Sequence, residues 1–84
     1  MDREPTHGIL VVDDDPGQRS LLRSFLQGQG LTVTVAASAR EALDLLDAST
    51  PDMLISDVRM PGMTGLELLE QVAERYPGLP VLLV

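Results

Sequence analysis

Residues 8–17, GILVVDDDPG, run an apolar segment directly into three consecutive acids and a proline. The continuous apolar run at positions 9–12 is typical of a strand that is buried on both faces of a parallel sheet. Asp15 followed by Pro16 is typical of a helix N-cap and a first-turn proline, so a helix follows the strand directly. The first two acids are therefore expected at the carboxyl end of a buried strand.

Three further strands are expected along the chain. Alternation of Val and Thr at positions 31–36 predicts a half-covered strand near a sheet edge. MLISD at positions 53–57 predicts a second buried strand that ends in an acid, and VLLV at positions 81–84 begins a fourth. Gly28 and Gly30 are expected to end the first helix.

Two pairs of residues have the spacing of a capping box, in which a side chain and a backbone amide at a helix start bond reciprocally. Ser38 and Glu41 open the predicted second helix, and Thr64 and Glu67 open the third. Apolar residues at helical spacing follow each pair.

The order of elements is therefore β-α-β-α-β-α-β, which favours parallel strands joined by right-handed crossovers. We predict an α/β fold with a doubly wound parallel sheet, and in the strand order 2-1-3-4 the first and third strands would be neighbours. Residues 1–7 are expected to form a flexible leader, and residues 8–84 to form one small domain.

Composition argues against several classes of protein. The net charge is -7, with 13 acids against six arginines and no lysine, which disfavours direct binding to nucleic acid. The sequence has no cysteine, so a disulfide framework and thiolate metal sites are excluded. No apolar run has the length of a membrane span, and the first residues lack the apolar core of a signal peptide. We expect a cytoplasmic chain with no membrane partner.

The acids at the strand ends are candidates for a shared site. Asp13 and Asp14 end the first strand, and Asp57 ends the third. If these strands are neighbours, the acids face one crevice at the carboxyl ends of the strands, where open parallel sheets bind ligands. Two carboxylates about 4 Å apart repel by roughly 4 kcal/mol at an effective dielectric constant of about 20. A cation would relieve this repulsion, and Mg²⁺ suits carboxylate and phosphate oxygens.

Two motifs in these regions resemble the receiver domain of two-component response regulators. They are ILVVDDD at positions 9–15 and PDMLISDVRMPGMTGLELL at positions 51–69, and the resemblance covers nearly all of residues 8–84. The second motif is similar to that of receivers on transcriptional activators of the sigma-54 (NtrC-like) class. The resemblance implies a flavodoxin-like, doubly wound α/β fold with strand order 2-1-3-4. It also implies a phosphoacceptor signalling domain that is not an enzyme.

The resemblance also implies a role for individual residues and partners. Asp57 would accept a phosphoryl group from a sensor histidine kinase and, together with Asp14 and the backbone carbonyl of Arg59, would bind Mg²⁺. Asp13 would contribute to the metal site through water. The parent protein would relay phosphorylation to a C-terminal output domain that regulates transcription.

The sequence lacks two residues that family receivers use to hold the phosphoryl group. Those receivers place a Ser or Thr just after the fourth strand and a Lys further on, whereas this sequence ends at Val84 and has no lysine. We expect either a truncated receiver without the last helix-strand-helix, in which switching is impaired, or part of a longer protein. The uncovered fourth strand is expected to support a homodimer or a swapped assembly.

Two alternative functions stay open at this point. A degenerate receiver would act as a non-catalytic dimerisation module. A haloacid-dehalogenase-like, Mg²⁺-dependent phosphatase would instead use a first-strand acid such as Asp13 as its nucleophile, but those enzymes need a lysine. Arg19 and Arg23 on the first helix are interpreted as part of a solvated face.

Overall fold

The computed structural model describes residues 8–84, so the expected leader at residues 1–7 lies outside the described residues. Strands and helices alternate through this range, as the sequence predicts: β1 (Gly8–Val12), α1 (Pro16–Gly28), β2 (Thr32–Ala36), α2 (Ala39–Ala48), β3 (Met53–Ser56), α3 (Gly65–Arg75) and β4 (Val81–Leu83). Among the described residues, no helix is long and apolar enough to cross a membrane.

The strands form one parallel sheet in the order β2-β1-β3-β4. Val11, in the middle of β1, pairs with Val35 of β2 on one side and with Ile55 of β3 on the other. Ile55 in turn pairs with Leu82 of the edge strand β4. This is the flavodoxin-like strand order that the sequence predicts, and it brings the carboxyl ends of β1 and β3 side by side.

The sheet has apolar side chains on both faces, and each face carries different helices. Helices α2 and α3 cover the larger core, in which Leu46 and Leu68 are almost completely buried. Helix α1 covers a smaller cluster built on Ile9, Val11 and Ile55. Helices on both faces make the sheet doubly wound and bury the central strands.

Helix α1 is less buried than the other two helices. It touches the sheet through its half-buried Leu22 and Leu26, and none of its described residues is fully buried. Leu21 and Phe25 are 72% and 62% exposed. Leu82 on β4 is 48% exposed, and the predicted association through this edge strand stays a prediction.

The helix starts follow the predicted caps with one exception. Thr64 and Glu67 form a reciprocal capping box, in which Thr64 Oγ1 accepts from the Glu67 amide and Glu67 Oε1 accepts from the Thr64 amide. Ser38 caps α2 by accepting from the Glu41 amide, but Glu41 Oε1 accepts from the amide of Ala37. The predicted reciprocal box at Ser38 is therefore wrong in its second half.

A difference in the cap backbones accounts for this exception. The φ angle is -153° at Ser38 and -77° at Thr64. Since φ sets the direction of a residue's own N–H, the Ser38 amide points differently from the Thr64 amide. The carboxylate of Glu41 bonds instead to the amide one residue earlier, which still satisfies a donor at the helix start.

Candidate functional site

Three carboxylates converge at the carboxyl ends of β1 and β3. Asp13 and Asp14 follow the last residue of β1, and Asp57 follows the last residue of β3. One carboxylate oxygen from each residue lies within 4.8 Å of the other two. The parallel pairing of neighbouring strands thus produces the acidic crevice that the sequence predicts.

Asp13 is the buried member of this cluster, with an exposed fraction of 1%. Its Oδ1 accepts a hydrogen bond of 2.9 Å from the Asp15 amide, and its amide donates to the Ala36 carbonyl. Its Oδ2 is buried and has no hydrogen-bond partner among the described residues. A buried carboxylate oxygen without a partner is costly, so the pocket suits a bound cation or an ordered water that a cation holds.

Asp57 is half-buried and is fixed mainly by its backbone. Its amide donates to the Val12 carbonyl at 2.9 Å, which extends the pairing of β1 and β3 by one residue. Its carbonyl accepts from the buried hydroxyl of Ser56 at 3.0 Å. Asp57 Oδ1 accepts from the Arg59 amide at 3.2 Å, which holds the carboxylate toward the loop that follows β3.

The loop between β3 and α3 forms one wall of the crevice. Met60 is buried in the larger core, and Gly62 has a φ of 79°, a conformation that favours glycine. An open cavity of about 480 Å³ lies along this loop and reaches the acidic cluster; its lining residues are Asp14, Val58, Arg59, Met60, Pro61, Thr64 and Leu66. The cavity gives an incoming group access to the exposed side of the cluster.

Gly65, the first residue of α3, packs directly on the backbone of Asp57. A Cβ atom at this position would lie 2.9 Å from Val58 Cα and would overlap the Asp57 carbonyl. The Gly65 amide donates to the Val58 carbonyl at 2.9 Å. The start of α3 is thus pressed against the peptide units that carry Asp57, and only glycine fits there.

Asp15 and Arg19 order the turn between β1 and α1. Asp15 accepts from the Gly17 amide at 2.9 Å, which confirms the predicted N-cap. Arg19 is half-buried, and its Nη1 donates to the Asp13 carbonyl at 2.8 Å. The interpretation of Arg19 as part of a solvated face is therefore wrong, whereas Arg23 is exposed as expected. The signal in the sequence was an arginine, whose side chain is a long hydrogen-bond donor, placed one helical turn after the N-cap Asp15.

The remaining predicted ligand is the backbone carbonyl of Arg59. The Arg59 side chain is exposed. The backbone amide of Arg59 is held next to the cluster, because it donates a hydrogen bond to Asp57 Oδ1. Its carbonyl as a metal ligand stays a prediction.

Comparison with known proteins agrees with this geometry. The family model described as the response regulator receiver domain matches residues 9–84. The DNA-binding transcriptional regulator NtrC of Klebsiella pneumoniae is 50% identical over 74 residues, which cover 88% of this chain and 16% of that protein. The chain thus spans about one sixth of the length of that regulator.

Solved structures agree in fold. The chemotaxis protein CheY4 of Vibrio cholerae superposes with a TM-score of 0.91 at 37% identity, over 94% of this chain and 68% of that one. The response regulator TrrA of Thermotoga maritima, solved in complex with Mg²⁺ and beryllofluoride, gives a TM-score of 0.90 at 35% identity, over 93% of this chain and 68% of that one. The chain therefore belongs to the response regulator receiver domain family of two-component systems.

Proposed function

We propose that this chain is a phosphoacceptor domain in which Asp57 receives a phosphoryl group from the phosphohistidine of a sensor histidine kinase. The observation that carries the proposal is the convergence of three carboxylates within 4.8 Å, one of which keeps a buried oxygen without a partner. Such an arrangement is unfavourable for folding alone. It is favourable where a divalent cation and a transferring phosphoryl group are to be bound.

The residues present fit a magnesium site. Asp14 and Asp57 would bind the ion directly together with the Arg59 carbonyl, and Asp13 would contribute through water. When bound, Mg²⁺ offsets the negative charge that the carboxylates and the transferring phosphoryl group bring together. The TrrA structure, named as a complex with Mg²⁺ and beryllofluoride, supports this assignment by similarity.

Asp57 is the member of the cluster best placed to act as the nucleophile. Asp57 is half-buried, and one of its carboxylate oxygens lies within 4.8 Å of one from Asp14, which lines the open cavity. Asp13, by contrast, is almost completely buried. A carboxylate oxygen of Asp57 forms a bond to phosphorus as the bond from phosphorus to the histidine nitrogen breaks. The imidazole keeps the electron pair, and Asp57 becomes an acyl phosphate.

The wider role follows from the family and from the NtrC relative. A cytoplasmic parent protein relays phosphorylation of this domain to an output domain, and the relative's name as a DNA-binding transcriptional regulator supports transcription as the output. Phosphorylation shifts an equilibrium between two conformations of the receiver. In this scheme the domain transmits a signal and does not turn over a substrate as an enzyme does.

The test is phosphorylation of the full chain by acetyl phosphate in the presence of Mg²⁺, followed by intact mass measurement. We expect the wild type to gain one phosphoryl group, and Asp57→Asn to gain none. Asp13→Asn is the matched variant, since it removes a charge from the same cluster but keeps the acceptor; it should still be labelled, more slowly. Loss of labelling in Asp13→Asn with labelling retained in Asp57→Asn would instead support the phosphatase-like alternative.

A further inference from the structure

Asp14 is the exposed member of the acidic cluster, and its side chain has little to hold it. No hydrogen bond to its carboxylate occurs within residues 8–84, whereas the carboxylates of Asp13 and Asp57 each accept one from a backbone amide. The direction of the Asp14 side chain therefore depends on the backbone on either side of it. Metal affinity depends on how well such a ligand is held in place before the ion arrives.

Both peptide units that flank Asp14 are fixed by hydrogen bonds. The unit before it is held through the Asp13 carbonyl, which accepts from Arg19 Nη1 at 2.8 Å. The unit after it is held through the Asp15 amide, which donates to Asp13 Oδ1 at 2.9 Å. Arg19 is itself anchored, because its amide donates to the Asp15 carbonyl at 2.9 Å in the first turn of α1.

We propose that Arg19 is a positioning residue for the metal site: its hydrogen bond to the Asp13 carbonyl fixes the turn that aims Asp14. The inference rests on the proposed function, since it assigns Asp14 to the Mg²⁺ site. Past the end of β1 the Asp13 carbonyl no longer lies in the strand pairing, and Arg19 supplies its donor. Without that donor, the carbonyl turns toward water and the Asp14 carboxylate samples more directions.

The charge of Arg19 and its hydrogen bond have opposite effects on Mg²⁺ binding. As a positive charge near the cluster, the guanidinium repels a divalent cation, so charge alone predicts tighter binding when Arg19 is replaced. As a holder of the Asp14 turn, it predicts weaker binding. The sign of the change therefore separates the two roles.

The test compares Arg19→Met with Arg23→Met in the full chain by calorimetric titration with MgCl₂. Arg23 is the matched control because it lies one turn further along α1, is exposed, and its side chain donates no hydrogen bond among the described residues. We expect Arg19→Met to weaken Mg²⁺ binding about tenfold, as loss of a residue that orients a metal ligand does. Arg23→Met should leave it unchanged or slightly tighter. Binding by Arg19→Met at wild-type strength or tighter would overturn the inference.

A second measurement needs no metal. Amide hydrogen exchange, read by NMR in the metal-free chain, reports on the Asp15 amide that closes the same turn. We expect it to exchange about fivefold faster in Arg19→Met and at the wild-type rate in Arg23→Met, as suits the net worth of one hydrogen bond. Unchanged exchange in Arg19→Met would refute the positioning role.

The two measurements also separate this inference from the proposed function. If the wild-type chain binds no Mg²⁺, the proposed function fails, while the exchange comparison still decides whether Arg19 holds the turn. If circular dichroism shows that Arg19→Met does not fold, Arg19→Ala, which also removes the donor and favours a helix, replaces it in both measurements under the same criteria.

Discussion

Gly65 and Asp57 are in such close contact that the backbone of one leaves no room for a side chain on the other. A Cβ on Gly65 would lie 3.1 Å from the carbonyl carbon of Asp57 and 2.9 Å from Val58 Cα. Because these neighbours are backbone atoms, they cannot rotate away as a flexible side chain would. The first residue of α3 thus sets the position of the peptide that carries the proposed phosphoacceptor.

Gly65→Ala should therefore destabilise the fold and disturb the site together. We expect the free energy of unfolding to fall by about 1–3 kcal/mol, the usual cost of overpacking, and phosphorylation by acetyl phosphate to slow. Urea denaturation and intact mass measurement would check the two effects. The control is Gly28→Ala at the end of α1, where an added Cβ meets nothing within 4 Å. That change should be neutral or stabilising, and an equal loss in both variants would contradict the steric argument.

Asp14→Asn should stabilise the metal-free chain and strongly reduce its response to Mg²⁺. Removing one of three clustered negative charges should raise the free energy of unfolding by about 1 kcal/mol without metal. The wild type should gain about 2.7 kcal/mol when free Mg²⁺ reaches a hundred times its dissociation constant, and Asp14→Asn should gain far less. Thermal denaturation with and without MgCl₂ measures both quantities.

The control for this prediction is Asp44→Asn, an exposed acid on α2 that lies outside the acidic cluster. It removes one negative charge, as Asp14→Asn does, but leaves the cluster intact. Asp44→Asn should therefore keep the full Mg²⁺ response. A Mg²⁺ response in Asp14→Asn as large as that of Asp44→Asn would remove Asp14 from the metal site.

Thr64→Ala should cost more than an ordinary loss of a threonine. Thr64 caps α3 and exchanges two hydrogen bonds with Glu67, of 2.8 Å and 3.2 Å. We expect a loss of about 1 kcal/mol in the free energy of unfolding. Thr50→Ala, in the exposed loop before β3, removes the same side chain without a cap and should change it by less than about 0.5 kcal/mol. Similar losses in urea denaturation would show that the capping box contributes little.

Tyr76 should make stability depend on pH in the alkaline range. Its hydroxyl donates to an Asp47 carboxylate oxygen, and this bond, followed by partial burial, raises the pKa of Tyr76 above its usual value of 10.0. The folded chain therefore keeps a proton that the unfolded chain loses above pH 10.0. The stabilisation is complete below that pH and is lost as the pH rises through the pKa of the folded state.

Urea denaturation at a series of pH values on both sides of 10.0 would show this dependence. Tyr76→Phe removes the titrating group and should flatten the alkaline decline. An identical decline in Tyr76→Phe would mean that other groups cause it.

Much of the fold could be predicted because its signals are local. The apolar run of β1, the cap at Asp15 and the glycines at the end of α1 each depend on a few adjacent residues. The crossover rules fix the handedness of the connections, whereas the strand order was implied by the resemblance to receiver domains. That order is what brings Asp57 beside Asp13 although they are far apart in the chain. The convergence of the acids was thus predictable from topology, without any side-chain coordinates.

What could not be predicted depends on contacts between elements or on the angle of one residue. The bond between Tyr76 and Asp47 joins the end of α3 to α2, and no spacing in the sequence indicates it. The side-chain partner of Glu41 follows from the backbone angle at its cap. Arg19 and Arg23 are the same residue type on the same helix. Only the path of the chain between β1 and α1 makes Arg19 a half-buried donor and leaves Arg23 solvated.

Helix α1 covers the smaller apolar cluster but has no fully buried residue of its own. Its low burial affects which parts of the native structure open first. Segments with few buried contacts open in sub-global fluctuations that leave the rest of a protein intact. Detachment of α1 would break the hydrogen bond from Arg19 to the Asp13 carbonyl while the central strands stay paired. The acids would then remain adjacent, but the Asp14 side chain would no longer be held in one direction. We therefore expect opening of α1 to loosen the acidic crevice without unfolding the sheet.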